Sequence, residues 1–254
     1  MKQRQHLRRY TGRVRVINRG NVKVPPNLVR VRYFNNKRYV ATGVDAKGRV
    51  QYLYPKRVKQ SQSVKKYDRV NRLMRRRNEI LGKVVNDSKQ GNVEAQAVYT
   101  MFKTGFRPGS DRDTRADVKA FGATTLLKKH VRLRPGNRVD FDFIGKKGVR
   151  VHKEVKDKLL ADVVKERKDD PRLFDTSAAD VRDYFDKKTG GQFMLKDLRT
   201  LKAFEVADKV LNRTKAEGPK EIKKEVVAEV SKELGNTPAI AAEAYIAPKL
   251  EGLK

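Results

Sequence analysis

The side chains able to do chemistry are unevenly supplied in this sequence, and the shortages narrow what it can do. Cysteine is absent, so disulfides and thiolate metal sites are excluded, and a reducing intracellular setting is the natural expectation. The three histidines, His6, His130 and His152, are too scattered for a zinc motif. No Gly-x-x-x-x-Gly-Lys-Ser/Thr loop occurs, so ATP-driven work through that motif is not expected. No carboxylate cluster with metal-site spacing stands out either, and neither a metal nor a cofactor is expected. What the chain has in excess is fixed cations: 61 Lys and Arg against 30 Asp and Glu, a formal charge of +31. Such an excess repels itself in the compact state and points to a polyanionic partner, nucleic acid above all. A protein acting on DNA without ATP or metal must stabilise phosphoryl transfer with those cations. It also needs a side-chain nucleophile if it forms a covalent intermediate. Charge alone equally fits a non-catalytic, architectural DNA-binding protein.

The cations must be held by something, and their distribution divides the chain. Residues 1–60 hold 17 basic residues and one acid, Asp45, a net of +16, while the other 194 residues carry a net of +15. Within the first part, Val14-Val16, Val29-Val31-Tyr33 and Tyr39-Ala41 read as short strands, with turn signals at Arg19-Gly20-Asn21, Asn35-Asn36 and Lys47-Gly48. A small β-rich domain over 1–60 is the simplest account, with Lys59-Gln60-Ser61-Gln62-Ser63 as a linker into a second domain over 61–254. The second domain reads as mainly helical. Val70, Leu73, Met74, Leu81 and Val84 recur at helical spacing, a polar break follows at 86–91, and a helix runs from about Val93 to Thr104. Val139, Phe141 and Phe143 alternate with polar residues, and Gly145-Lys146-Lys147-Gly148 turns the chain into Val149-Arg150-Val151, a β-hairpin with two lysines at its tip. Further helices are expected near 155–168, after a Ser177 cap, near 196–213 and near 219–234. Gly235 should end the last of these. A final helix should start at Thr237-Pro238 and run through Tyr245 to about Pro248. No apolar run approaches a membrane span, and the opening residues lack the apolar stretch of a signal peptide. The expectation is a soluble, intracellular, DNA-associated protein.

Segments in one order along the chain carry a resemblance. They are Val24-Pro25-Pro26-Asn27, Ala41-Thr42-Gly43-Val44-Asp45-Ala46-Lys47-Gly48-Arg49, Gln51-Tyr52-Leu53-Tyr54 and Lys66-Tyr67-Asp68-Arg69 in the N-terminal part. Farther on come Phe106-Arg107-Pro108-Gly109-Ser110, Phe121-Gly122-Ala123-Thr124-Thr125-Leu126 with His130-Val131, and Phe143-Ile144-Gly145-Lys146. Lys196-Asp197-Leu198-Arg199-Thr200, Leu234-Gly235-Asn236-Thr237-Pro238-Ala239 and Tyr245-Ile246 complete the set. Together they resemble the small, poxvirus-like and bacterial branch of the type IB DNA topoisomerases.

The resemblance implies an α+β protein: a small N-terminal β-rich domain that clamps duplex DNA, and a larger, mainly helical catalytic domain with a β-hairpin. It implies a monomer that relaxes supercoils by transient single-strand cleavage, without ATP. At matching positions, Tyr245 is the nucleophile that forms a 3′-phosphotyrosyl link, and Arg107 and Arg199 are the cations on the scissile phosphate. Lys146 is the general acid for the departing 5′ oxygen, with Lys147 beside it a solvated turn lysine. Lys196 takes a secondary basic position, in acid catalysis or phosphate binding. Asn236 stands where some relatives carry histidine; its amide can donate a hydrogen bond to phosphate but cannot move a proton, and it also suits a turn between helices. Ala241, Ala242 and Ala244 near Tyr245 would let a DNA backbone come close. In the N-terminal domain Gln51, Tyr52 and Tyr54 reach DNA or pack that domain's own core. A tyrosine recombinase is the nearest rival, since it shares the catalytic fold. Recombinases usually place histidine three residues before the second arginine, where Lys196 stands here, and only nine residues follow Tyr245 for the tail exchange that recombinases use.

Overall fold

The computed structural model describes residues 16–17, 22–35, 38–111, 118–167 and 171–252. The expected strand start at Val14, the turn at Arg19-Gly20-Asn21 and Asn36 lie outside the described residues. The chain divides into two compact units, Met1–Lys66 and Tyr67–Lys254.

In the first unit, β1 (Val16–Ile17) pairs antiparallel with β2 (Val22–Lys23). A second antiparallel sheet follows in the order β3 (Val29–Tyr33), β4 (Ala41–Val44), β5 (Val50–Leu53). One buried carboxylate ties the β4–β5 hairpin: Asp45 accepts from the backbone N–H of Lys47 and Arg49, from Arg49 Nε at 2.8 Å and from Gln51 Nε2 at 2.9 Å. The polar stretch Lys59–Ser63 is helical rather than irregular, because α1 runs unbroken over Lys56–Arg75, and the boundary between the units falls within that helix. Nothing in that stretch is glycine or proline, Lys and Gln are good helix formers, and Pro55 sits just before the first turn, where proline does no harm.

The second unit owes its core to two helices that are buried on nearly every side. Arg76 interrupts the helical backbone, and α2 (Arg77–Lys89) continues to Lys89, so the polar break is confined to residues 90–92. Asn92 then caps α3 (Val93–Thr104) by accepting from Ala95 N at 2.7 Å. Ala95 through Phe102 are all buried, as a central helix requires. A three-stranded antiparallel sheet follows, β6 (Val131–Arg134), β7 (Arg138–Ile144) and β8 (Arg150–Lys156). The expected hairpin is β7–β8. The third strand, β6, and the length of β8 were not foreseen from the sequence; Val155 pairs with Val139 in the sheet rather than starting a helix. Asp157 instead caps α4 (Lys158–Glu166), accepting from Leu160 N at 2.9 Å. Then come α5 (Ala178–Thr189) behind its Ser177 cap, the second central helix α6 (Leu195–Arg213), and α7 (Pro219–Leu234).

The last expected helix is two. α8 spans Pro238–Ala244 and α9 spans Ala247–Glu251, with Tyr245 just past the end of α8. Pro248 explains the break: it has no N–H for the carbonyl of Ala244 and its ring would strike that carbonyl in a continuous helix. The whole is α+β, β-rich at the N-terminus and mainly helical after it, as expected. No helix among the described residues is long and apolar enough to cross a membrane.

One ion pair fastens the start of α6. Asp197, fully buried, receives Arg69 Nε and Nη2 at 2.5 and 2.8 Å from α1 and caps its own helix by accepting from Met194 N. Replacing Asp197 with Ala strands a mostly buried guanidinium, so the unfolding free energy should fall by about 3 kcal/mol in urea titration. A loss below about 1 kcal/mol would mean that Arg69 escapes to water.

Candidate active site

The residues singled out from the sequence stand mostly at the ends of elements. Arg107 follows α3 by three residues; its chain leaves the helix through Gly105, in the left-handed conformation at φ 68°. Asn236 follows α7, which ends at Gly235 with φ 59°. Tyr245 stands at the end of α8, whose first turn is capped by Thr237. Arg199 lies within a helix, at the fifth residue of α6, three residues after Lys196.

The structure brings Arg199 and Tyr245 together. Arg199 is 5% exposed, and its Nε donates to Tyr245 Oη at 3.1 Å, with the guanidinium 5.4 Å from the ring centre. Its Nη1 donates to Gly105 O at 2.8 Å and its Nη2 to Leu234 O at 2.5 Å. Three of the five guanidinium N–H bonds are thus committed, and two remain for another acceptor. Burial pulls the Arg199 guanidinium below its ordinary value; the Tyr245 oxygen opposes that shift and the charge of Arg107 adds to it. An arginine stays charged through such a shift.

Arg107 is held by its backbone. Ala123 N donates to Arg107 O at 2.8 Å, and Thr124 donates to Pro108 O through both its N and its Oγ1, at 2.7 and 2.9 Å. The segment Phe121–Leu126 is therefore the bed on which the Arg107 turn lies. The Arg107 guanidinium has no hydrogen-bond or ion-pair partner among the described residues.

Asn236 has a peculiarity of its own. Both its Nδ2 and Oδ1 are sealed from solvent and lack any hydrogen-bond partner. Leaving such an amide unpaired costs about 1–3 kcal/mol.

Two residues stay outside this cluster. Lys146 is exposed on the β7–β8 turn and its ammonium has no partner among the described residues. The next residue, Lys147, occupies the left-handed region at φ 66°, which shapes the turn. Lys196 is also exposed, on the first turn of α6. In the N-terminal unit Tyr52 is half exposed and packs edge-to-face on Tyr39. Gln51 lies on the opposite face of β5, its amide taken by Asp45. Tyr54 lies beyond the end of β5 and is partly buried. The alanines near Tyr245 divide: Ala244 is exposed, whereas Ala241 is fully buried and packs in the core rather than facing outward.

Residues to which the sequence alone assigns no role hold these groups. Tyr67 donates to Glu243 O at 3.2 Å and stacks on Phe204, fastening α8 to α6. Lys249, on α9, pairs with Asp208 at 2.6 Å and covers the same Phe204 ring. Lys153, on β8, is a lysine at an inward register position between Val151 and Val155. That charge in an otherwise apolar alternation was the one signal available for it.

Residues 55–245 match the family described as eukaryotic DNA topoisomerase I, catalytic core. The chain is 24% identical over 255 residues to DNA topoisomerase 1B of Acanthamoeba polyphaga mimivirus, covering 89% of this chain and 75% of the relative. It is 26% identical over 248 residues to DNA topoisomerase 1B of Vaccinia virus (strain Copenhagen) and to DNA topoisomerase I of Monkeypox virus, covering 89% of this chain and 78% of each relative.

The bed beneath Arg107 tolerates no side chain at Gly122: a Cβ there would meet Gly109 N at 2.5 Å and Arg107 O at 2.6 Å. Backbone must therefore move in Gly122→Ala. The substitution should cost about 1–3 kcal/mol in thermal or urea unfolding. Wild-type stability would show that the two segments do not pack this closely in solution.

Proposed function

The chain belongs to the type IB DNA topoisomerases, and from this we propose that it relaxes supercoiled duplex DNA through a nick made by Tyr245 and resealed without ATP. The observation that carries this reading is the hydrogen bond from Arg199 Nε to Tyr245 Oη, between residues 46 apart in sequence. It sets a buried cation against the oxygen that would attack. In the proposed reaction that oxygen displaces the 5′ oxygen from phosphorus, forming a 3′-phosphotyrosyl bond as the P–O5′ bond breaks. The phenol loses its proton to the surroundings, and the guanidinium favours the charge that develops on the attacking oxygen. Arg107 and the two uncommitted N–H groups of Arg199 would neutralise the non-bridging oxygens. The orphaned Asn236 amide would donate one more hydrogen bond to them. One phosphodiester is exchanged for another, so religation by the free 5′-hydroxyl runs the same path backwards and needs no energy source. Between the two steps the cut strand swivels. The strongly basic residues 1–60 would add phosphate contacts and affinity rather than chemistry.

Two experiments test the assignment of roles. Tyr245→Phe should bind DNA as wild type does and lose all cleavage of supercoiled plasmid. A covalent protein–DNA band from this variant after denaturant quench would remove Tyr245 as nucleophile.

Lys146 would protonate the leaving 5′ oxygen, and an alkoxide without a proton donor leaves slowly. Lys146→Ala should slow single-turnover cleavage by roughly 10²–10⁴-fold. A thiolate needs no proton, so a 5′-bridging sulfur should restore cleavage to Lys146→Ala while helping Arg107→Ala far less. If sulfur instead rescued Lys147→Ala and left Lys146→Ala slow, the acid would be the neighbouring lysine.

A further inference from the structure

Behind Arg199 lies a second buried cation that the mechanism above does not use. Lys153 faces inward from β8, cross-strand from Phe141, and its side chain is only 10% exposed. All three of its N–H bonds are spent: on Thr104 O at 2.8 Å, on Glu233 O at 3.2 Å and on Glu233 Oε1 at 2.8 Å. The pairing has a symmetry with Arg199. Lys153 takes the carbonyls of Thr104 and Glu233, and Arg199 takes those of the next residues, Gly105 and Leu234. Two helix C-termini, α3 and α7, therefore converge on two cations. Helix ends leave their last carbonyls unpaired and carry partial negative charge, which explains why both cations are tolerated so deep in the protein. Lys202, one turn beyond Arg199 on α6, closes the group by approaching Glu233 at 3.6 Å and Glu205 at 3.8 Å. Burial lowers the Lys153 ammonium from its ordinary value, and Glu233 works to keep it charged.

What leaves these two helix ends is the site itself. Arg107 comes two residues after Gly105, and Asn236 two residues after Leu234. We propose that Lys153 is a positioning residue for strand cleavage, locking the ends of α3 and α7 together behind Arg199 and so holding its guanidinium where it meets Tyr245 Oη. Without it, the four carbonyls face Arg199 alone and the Glu233 carboxylate keeps only the more distant Lys202. The guanidinium is then drawn back toward them and away from Tyr245 Oη. This proposal rests on the reading that Arg107, Arg199 and Asn236 bind the scissile phosphate.

The test is a double-mutant cycle on the full chain, read by single-turnover cleavage at saturating DNA, with DNA affinity and melting temperature measured alongside. Lys153→Met keeps much of the side-chain volume and removes the charge. It should bind DNA with wild-type affinity and cleave about 10²-fold more slowly, the scale of loss expected when reacting groups are misplaced by an ångström. Because Lys153 acts through Arg199, adding Lys153→Met to Arg199→Lys should slow cleavage little further, whereas a general packing defect would multiply with it. If Lys153→Met does not fold, Glu233→Gln takes its place in the same cycle, with a loss of about tenfold and the same lack of multiplication expected. Wild-type cleavage by the substituted chain, or a defect that multiplies in full on Arg199→Lys, overturns the proposal. Absence of cleavage by the wild-type chain would instead overturn the functional reading on which it rests.

Discussion

The buried guanidinium of Arg199 is the constraint around which the second unit is arranged. A charge removed from water must be met by polar partners, or it costs several kcal/mol. Here the partners are the carbonyl ends of α3 and α7 and the oxygen of Tyr245. To serve Arg199, α3 must end at Gly105, α7 must end at Gly235, and α8 must stop where the phenol can reach across. Both glycines stand in the left-handed conformation that lets a helix end abruptly with its last carbonyls free. Gly105 has a second reason to lack a side chain, since a Cβ would press on Lys202 and Leu234 at 3.0–3.1 Å.

From that constraint follows a division of labour between rigid and mobile groups. Arg199 is fixed through its guanidinium, Arg107 through its backbone on the Phe121–Leu126 turn, and Tyr245 through the anchoring of α8 and α9 by Tyr67, Phe204 and Lys249. These are the groups that, in the proposed reaction, must meet a phosphate in one geometry. Lys146 is different, exposed and free to choose among rotamers. A proton donor that acts only when a leaving group arrives can accept that freedom. A charge clamp cannot, because each ångström of misplacement weakens its hold on the transition state.

Electrostatics at the site and over the whole chain pull in the same direction. The +31 that remains after every acid is counted disfavours the compact state, and several of those acids sit on particular cations: Asp197 on Arg69, Glu233 on Lys153 and Lys202, Asp45 on Arg49. These acids are spent on positioning cations rather than on neutralising the protein. Lys146, Lys196 and the Arg107 guanidinium have no carboxylate partner among the described residues, and a DNA phosphate is the counter-charge that suits them.

Much of this was readable from local pattern alone. The hydrophobic periods placed α3, α6 and α7, Ser177 marked the start of α5, and Gly235 marked the end of α7, because caps and periods act over a few residues. The motif order carried the family, and with it the residues to examine. Local pattern misled where the deciding contact was distant or the signal was mixed. The polarity of Lys59–Ser63 suggests irregular chain where helix forms, and Lys153 interrupts the apolar alternation that would mark Val155 as strand. Only the tertiary structure decided that Lys153 and Arg199 share two helix ends. It also decided that Asn236 is left without a partner and that Tyr245 lies against Arg199. Those facts belong to the folding together of residues up to 94 positions apart, as between Gly105 and Arg199, and a buried charge selects its partners by where carbonyls end up in space.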